Sequence, residues 1–282
     1  MIFLLLQNRG GTTIKEDIFV VTILLKIVLQ PLDLNNARFP WQDNGRERGL
    51  RGIAFDGDNM YCMSSDTLYA FNSAFEFQES WTNPYLRHCR GIAIVERKLF
   101  IVSSGFDSVI GFDLESKAFD WALQVKSRGF DIGAHPFDPM SDDGPIMLAK
   151  LDLREIYCDG TGMYITSDKG VLRFNGNSIG IAIELPPGSH DARPYRDGVL
   201  FNDSEDGTIR YAGRGEGEED RSMEVGDFSR GLCLLNDTIV ASGSSPAAVS
   251  VYDLAANKKL FTVQINENEH SAIHTIAVWP FD

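Results

Sequence analysis

The sequence predicts an all-β repeat fold, and three observations carry that prediction. First, a short phrase recurs: an Arg, an apolar strand, a turn rich in Ser, Asp and Gly, then an aromatic residue and a second turn. Its copies begin at Arg51-Gly52-Ile53-Ala54, Arg90-Gly91-Ile92-Ala93, Arg154-Glu155-Ile156-Tyr157, Arg193, Arg230-Gly231-Leu232-Cys233 and His274-Thr275-Ile276-Ala277. The aromatics downstream of the first five are Phe71, Phe112, Phe174, Tyr211 and Tyr252. Second, successive starts lie 39, 64, 39, 37 and 44 residues apart, and a strand-built period of about 40 residues marks the blades of a β-propeller. Third, each copy divides into four short apolar runs separated by turn residues, as at 91–95, 98–103, 108–113 and 119–125. Such a run of hairpins makes one four-stranded antiparallel sheet per copy.

Taken in chain order, the amino-terminal segment offers three strands, at 1–6, 12–18 and 20–30, the first two joined by a turn at Gln7-Asn8-Arg9-Gly10-Gly11. Residues 1–6 lack the basic flank and small-residue cleavage site of a secretory leader. Residues 19–29, broken by Lys26, fall short of the ~20 apolar residues that a membrane helix requires. Their Val, Ile and Thr content favours a strand. The sixth copy has only its first strand before the chain stops at Asp282. Pairing that strand with the amino-terminal ones would close the ring and bury an open sheet edge. The expectation is one domain over 1–282, a propeller of six four-stranded blades closed by its carboxy-terminal strand. Five blades plus an amino-terminal extension is the competing count.

The long interval between the second and third starts holds about 25 residues beyond a normal blade. These residues, 126–148, include Phe130, Asp131, His135, Phe137, Asp138 and Asp142-Asp143. They are expected as a lid-like loop on the face where the inner strands begin; a tolerated surface insertion is the plainer alternative. The stretch Gly213-Arg214-Gly215-Glu216-Gly217-Glu218-Glu219-Asp220 reads as a solvated acidic hairpin turn, since its carboxylates would repel a phosphate.

In architecture the repeats resemble six-bladed propellers in general, including the gluconolactonase/regucalcin and NHL-like groups. The stretches Arg90-Gly91-Ile92-Ala93, Pro186-Pro187-Gly188-Ser189-His190-Asp191-Ala192-Arg193-Pro194 and Gly231-Leu232-Cys233 also resemble an uncharacterised bacterial propeller family. The acidic and Asn ligand set of the lactonases has no matched positions here, so the resemblance implies their fold and not their calcium-dependent hydrolysis.

A net charge of −14 disfavours nucleic acid and anionic membranes as partners. Cys62, Cys89, Cys158 and Cys233 show no CxxC spacing and read as reduced core residues. A soluble, cytoplasmic protein is expected. There is no P-loop, dinucleotide fingerprint, HExxH or GxSxG elbow to name a reaction.

The repeated Arg falls where the inner strand begins, beside the central channel. Arg51, Arg90, Arg154, Arg193 and Arg230, with His274 in sixth place, are therefore expected around one axial mouth. Guanidiniums cannot crowd there unpaired. Either they bind a small anionic ligand, or each is stapled to a carboxylate such as Asp107, Asp152, Glu155, Asp168, Asp191 or Asp203. His88, His190 and His274 lie at or near inner-strand starts. His190 and His274 are the candidate catalytic bases, and His88 and Asn202 join the Arg set as ligand-binding candidates. A divalent metal on the axis would draw on His88, Asp152, His190 and His274. The expected function is binding of a small anionic polar ligand at the axial mouth; any enzyme would be a hydrolase or lyase. The alternative is a non-catalytic scaffold that receives a protein partner on the loop face.

Overall fold

The computed structural model describes residues 2–8, 18–21, 29–32, 50–129, 131–213, 221–226, 228–269 and 271–281. The proposed turn at 7–11 beyond Asn8, Phe130 and the acidic stretch from Arg214 to Asp220 lie outside them. Among the described residues, all regular structure is β apart from one short 3-10 turn, Ser104–Phe106. Three strands come from the amino-terminal segment: β1 (Ile2–Asn8), β2 (Ile18–Val21) and β3 (Leu29–Leu32). Blade one holds β4 (Arg51–Asp56), β5 (Asn59–Met63), β6 (Thr67–Asn72) and β7 (Phe77–Thr82). Blade two holds β8 (Cys89–Val95), β9 (Lys98–Ser103), β10 (Ser108–Asp113), β11 (Ala118–Arg128) and a fifth strand, β12 (Asp131–Phe137). Blade three holds β13 (Ile156–Asp159), β14 (Gly162–Ser167), β15 (Gly170–Phe174) and β16 (Ile179–Ile183). Blade four holds β17 (Ser189–Tyr195), β18 (Gly198–Asp203), β19 (Thr208–Ala212) and β20 (Arg221–Glu224). Blade five holds β21 (Arg230–Leu234), β22 (Ile239–Ser244), β23 (Ala248–Asp253) and β24 (Lys258–Gln264), and β25 (Ser271–Val278) follows.

Among the described residues, the blades built wholly from consecutive strands number five, where the sequence reading expects six. The sixth copy contributes β25. That strand lies in a sheet of order β25-β1-β2-β3, pairing antiparallel with β1 from Ile2↔Val278 to Asn8↔Ser271.

The core is a set of wedges between neighbouring blades. Leu68 of blade one meets Leu99, Ile110 and Phe112 of blade two. Val102, Val109 and Leu123 of blade two meet Ile165 and Leu172 of blade three. Blades four and five share Leu200, Ile209, Leu232, Val240 and Tyr252, and Ile273 and Ile276 of β25 pack on Val249 and Val251. Alternating apolar residues on the inner strands of blades one to five fill both sides of a blade, while outer strands such as β24 stand exposed. Cys62, Cys89 and Cys233 are buried and Cys158 half-buried, all as free thiols. Burial pushes Cys158 up to about 12, so it packs as an apolar group.

The insertion differs from the expected loop. β11 runs on to Arg128 and β12 returns along its outer edge, from Ala122↔Phe137 to Arg128↔Asp131. Ile132 and Ala134 of this extra strand pack into the wedge with blade three. Residues 138–150 then lead back towards the axis.

Candidate functional site

Three of the inner strands share one backbone device. The residue after the repeated Arg adopts a left-handed conformation at Gly52 (φ 59°) and Gly231 (φ 70°), and the ladder slips there. Blade four has Asp191 with φ 55° at its slip. Register fixes the equivalence: Ala54↔Tyr61, Ala93↔Phe100, Tyr157↔Tyr164, Arg193↔Leu200 and Cys233↔Ala241 stand at matching depths. His190 is thus the blade-four counterpart of Arg51, Arg90, Arg154 and Arg230. Arg193, read from the sequence as the copy's start, lies three residues deeper.

Close approach of the strands explains the small residues at the slip. A Cβ on Gly91 would stand 2.6 Å from the Glu155 Cα, and one on Gly52 2.7 Å from the Arg90 carbonyl oxygen. Each of these amides finds an acceptor on a neighbouring inner segment. Gly91 N–H donates to Arg154 O (2.9 Å), and Gly52 N–H to Thr275 Oγ1 (3.3 Å). Gly231 N–H donates to Asp191 Oδ2 (2.8 Å), and Asp191 N–H to Glu155 Oε2 (3.2 Å). Glu155 and Asp191 stand where other blades have Gly, so two carboxyls reach the axis.

The ring guanidiniums divide by partner. Arg154, 6% exposed, is held by Asp152 through Nε (3.0 Å) and Nη2 (2.8 Å), by the Ser189 carbonyl through Nη1 (2.7 Å), and by Asp168. Arg90 Nη2 reaches the other Asp152 oxygen at 3.1 Å. Burial alone would raise the Asp152 carboxyl, but the Arg90 and Arg154 charges outweigh it and hold it below the usual range. Arg230 stacks on Phe228 with 4.0 Å to the ring centre. Arg51 is 5% exposed and also has partners. Arg193 is half-buried, and its side chain makes no ion pair or hydrogen bond among the described residues.

A cavity of 330 Å³ occupies the axis, with walls from the inner strands of all five blades and from β25. Arg90, Glu155, Tyr157, Asp191, Arg193 and Thr275 give it polar walls, and Ile53, Ile92, Ile156, Cys233 and Ile276 are among its apolar ones. Asp191 Oδ2 also accepts from Asn202 Nδ2 (3.1 Å), and Asn202 Oδ1 accepts from Ser242 Oγ (2.9 Å). Asn202 is fully buried with both ends of its amide engaged, so it acts on the cavity through Asp191. Burial and the neighbouring Glu155 charge push the Asp191 carboxyl up to about 7. For Glu155 burial acts upward too, but His190, His274 and the Asp191 amide outweigh it and hold that carboxyl below its ordinary range. The two carboxyls therefore titrate apart, with Glu155 holding the charge and Asp191 the proton more firmly.

His190 and His274 are each 4% exposed and lie in the ring layer, behind the cavity wall. Burial first, then Arg230 and Arg154, lower His190 to about 4 against the pull of Glu155, whose Oε2 is 3.8 Å from Nδ1, too far for a direct hydrogen bond. Burial and the Arg51 and Arg230 charges likewise depress His274, whose Nδ1 is 3.3 Å from Thr275 Oγ1. His88 sits half-buried beside Gly105, in the chain leading into blade two. Among the described residues no three His, Cys, Asp or Glu side chains are grouped to hold a metal ion. Sequence reasoning offered Glu155 and Asp191 as staples for Arg, and Asp191 also as a carboxylate for a metal; the signal for their axial place is that they occupy the Gly slot.

No protein-family model matches the sequence. No curated protein matches it either. Solved structures match its architecture. A chain of the nidogen/laminin complex aligns over 98% of this chain and 97% of its own, with a TM-score of 0.60 and 14% identity. The WD40 β-propeller domain of Doa1 aligns over 78% of this chain and 70% of its own, at TM-score 0.52 and 15% identity. The computationally designed Ika8 protein aligns over 80% and 90%, at 0.50 and 12%. Such identities speak for fold alone: the chain is a β-propeller with four-stranded blades. No helix among the described residues is long and apolar enough to cross a membrane.

Proposed function

We propose that the chain is a binding propeller whose axial cavity receives a small polar molecule carrying an acidic group, anchored by Arg193. In this reading the sheet β25-β1-β2-β3 is the sixth blade and closes the ring, which makes Thr275 and Ile276 part of one continuous wall. The observation that carries the proposal is the contrast among cations. Arg154 and Arg90 are tied to Asp152, whereas Arg193 lines a 330 Å³ cavity with no ion pair or hydrogen bond among the described residues. A guanidinium drawn partly out of water gains most from a carboxylate or phosphate that meets its fork at two points. Asp191, whose carboxyl burial and the Glu155 charge raise well above its ordinary range, supplies an O–H donor beside it. Glu155 keeps its charge and repels acid groups, so the ligand's acidic end lies at Arg193 and a hydroxyl or amine faces Glu155. His190 and His274 lie behind the cavity wall near that carboxylate and are uncharged at neutral pH. Because the two carboxyls titrate apart, hydrolysis or elimination on the ligand is the chemistry this pair suits.

Thermal melts in inorganic phosphate, sulfate, acetate and citrate test the reading. At least one anion should raise the melting temperature with concentration, and Arg193→Leu should abolish that rise while leaving the anion-free melt unchanged. No rise with any of them, or a rise that survives Arg193→Leu, refutes the anchor.

A further inference from the structure

The segment that follows β12 carries an apolar ridge that stands exposed among the described residues. Met140 and Ile146 are each 72% exposed, Met147 57% and Leu148 47%, four of the eight large apolar side chains that stand out in solvent among the described residues. Its backbone is fixed. Tyr85 Oη donates to Ser141 O (2.6 Å) and accepts from Gly144 N–H (2.8 Å), and Asn83 Nδ2 donates to Pro139 O (3.0 Å). At the other end the Asp107 carboxylate accepts from Lys150 N–H (2.7 Å) and Leu151 N–H (3.0 Å). An ordered segment that displays several apolar side chains loses little entropy when it is covered.

Charge is sorted along the same strip. The turn over Tyr85 holds exposed Asp138, Asp142 and Asp143. Beyond the ridge, a cleft of 550 Å³ is lined by Lys126, Arg128, Leu148 and Lys150, with Asp131 the single exposed acid on its wall. We propose that this face is an isologous dimer interface with a second copy of this chain. A two-fold rotation brings the acidic turn of each copy to the basic cleft of the other and lays ridge on ridge, the self-complementarity a C2 contact demands. A net charge of −14 makes two copies repel over the rest of their surfaces. Here the signs are separated so that rotation matches them. An anionic lipid surface would instead face three carboxylates beside the apolar ridge.

Sedimentation equilibrium of the full chain tests this independently of the axial cavity. The parent should be a dimer at micromolar concentration, with a dissociation constant that rises with salt. Asp142→Lys with Asp143→Lys should weaken it about tenfold or more through like-charge contact, as should Lys126→Glu with Lys150→Glu. All four changes in one chain should restore the parent value to within about threefold, because the matching is preserved with its sign reversed. Ile146→Asp, at an exposed site, should give a folded monomer. A monomeric parent, a dimer indifferent to these changes, or a ridge that binds anionic phosphatidylserine vesicles in place of a second chain overturns the proposal.

Discussion

Blades three and four present the same strand start to the axis and fill it in opposite ways. In blade three the ring residue is Arg154, a permanent cation with four hydrogen bonds to Asp152, Asp168 and the Ser189 carbonyl of the next blade. In blade four it is His190, lowered to about 4 and uncharged, and the cation comes three residues deeper at Arg193, without an ion pair among the described residues. One blade spends its charge on holding neighbours together; the other leaves its charge facing the cavity. The difference teaches that the repeated residue serves the repeat, and that binding chemistry is to be sought where the repeat is broken.

The strongest way to break this comparison is Arg154→Leu. It strips two carboxylates and a buried carbonyl of their partner and should cost about 3 kcal/mol or more in urea unfolding. Loss of under about 1 kcal/mol would make Arg154 a surface pair in energetic terms. Next is Asp191→Ala, which leaves the Gly231 N–H and Asn202 amide without an acceptor and should cost about 2 kcal/mol. Asp191→Gly should be milder by about 1 kcal/mol, since the left-handed backbone penalises a Cβ. Equal losses would show that backbone strain plays no part.

Acid titration sharpens the contrast at smaller amplitude. His190, with a folded value of about 4 against 6.5, binds fewer protons folded than unfolded, so its share of stability is lost as pH falls from 6.5 towards 4. Asp191, raised from 3.8 to about 7, acts oppositely: its share is present at low pH and is lost as pH rises through 7. The two offset each other between. Asp191→Asn removes the second and should steepen the loss on acidification between pH 6.5 and 4; an unchanged slope in denaturant melts would place the Asp191 carboxyl in its ordinary range. Smallest of all, Arg193→Leu should shift unfolding by no more than about 0.5 kcal/mol, as expected of a residue without a buried partner.

Much of the architecture was legible because propeller blades repeat in sequence. The Arg-Gly-Ile-Ala phrase gave the inner strands, and the turn residues Asp113, Asn175 and Asp253 each accept backbone N–H bonds as their type predicts. Two features stayed hidden for physical reasons. In blade four Asp191 replaces the left-handed Gly, so Arg193 passed for the repeat's Arg although His190-Asp191-Ala192 keeps the spacing. β12 contains Gly133 and Pro136, residues that weaken a strand reading and suit only an edge. At the site, the pairing of Asp152 with both Arg90 and Arg154 depends on a left-handed turn at Asp152 itself (φ 44°), which spacing does not reveal.

The double anchorage of residues 138–151 on Tyr85 and Asp107 has a consequence for how this molecule meets proteases. Cleavage needs a stretch of main chain that can pull free and thread into an enzyme's groove, and here exposed side chains sit on a beam pinned at both ends. Trypsin should therefore spare the Lys150 bond in the intact fold, and removing the single phenolic oxygen with Tyr85→Phe should open the segment to attack from its far end.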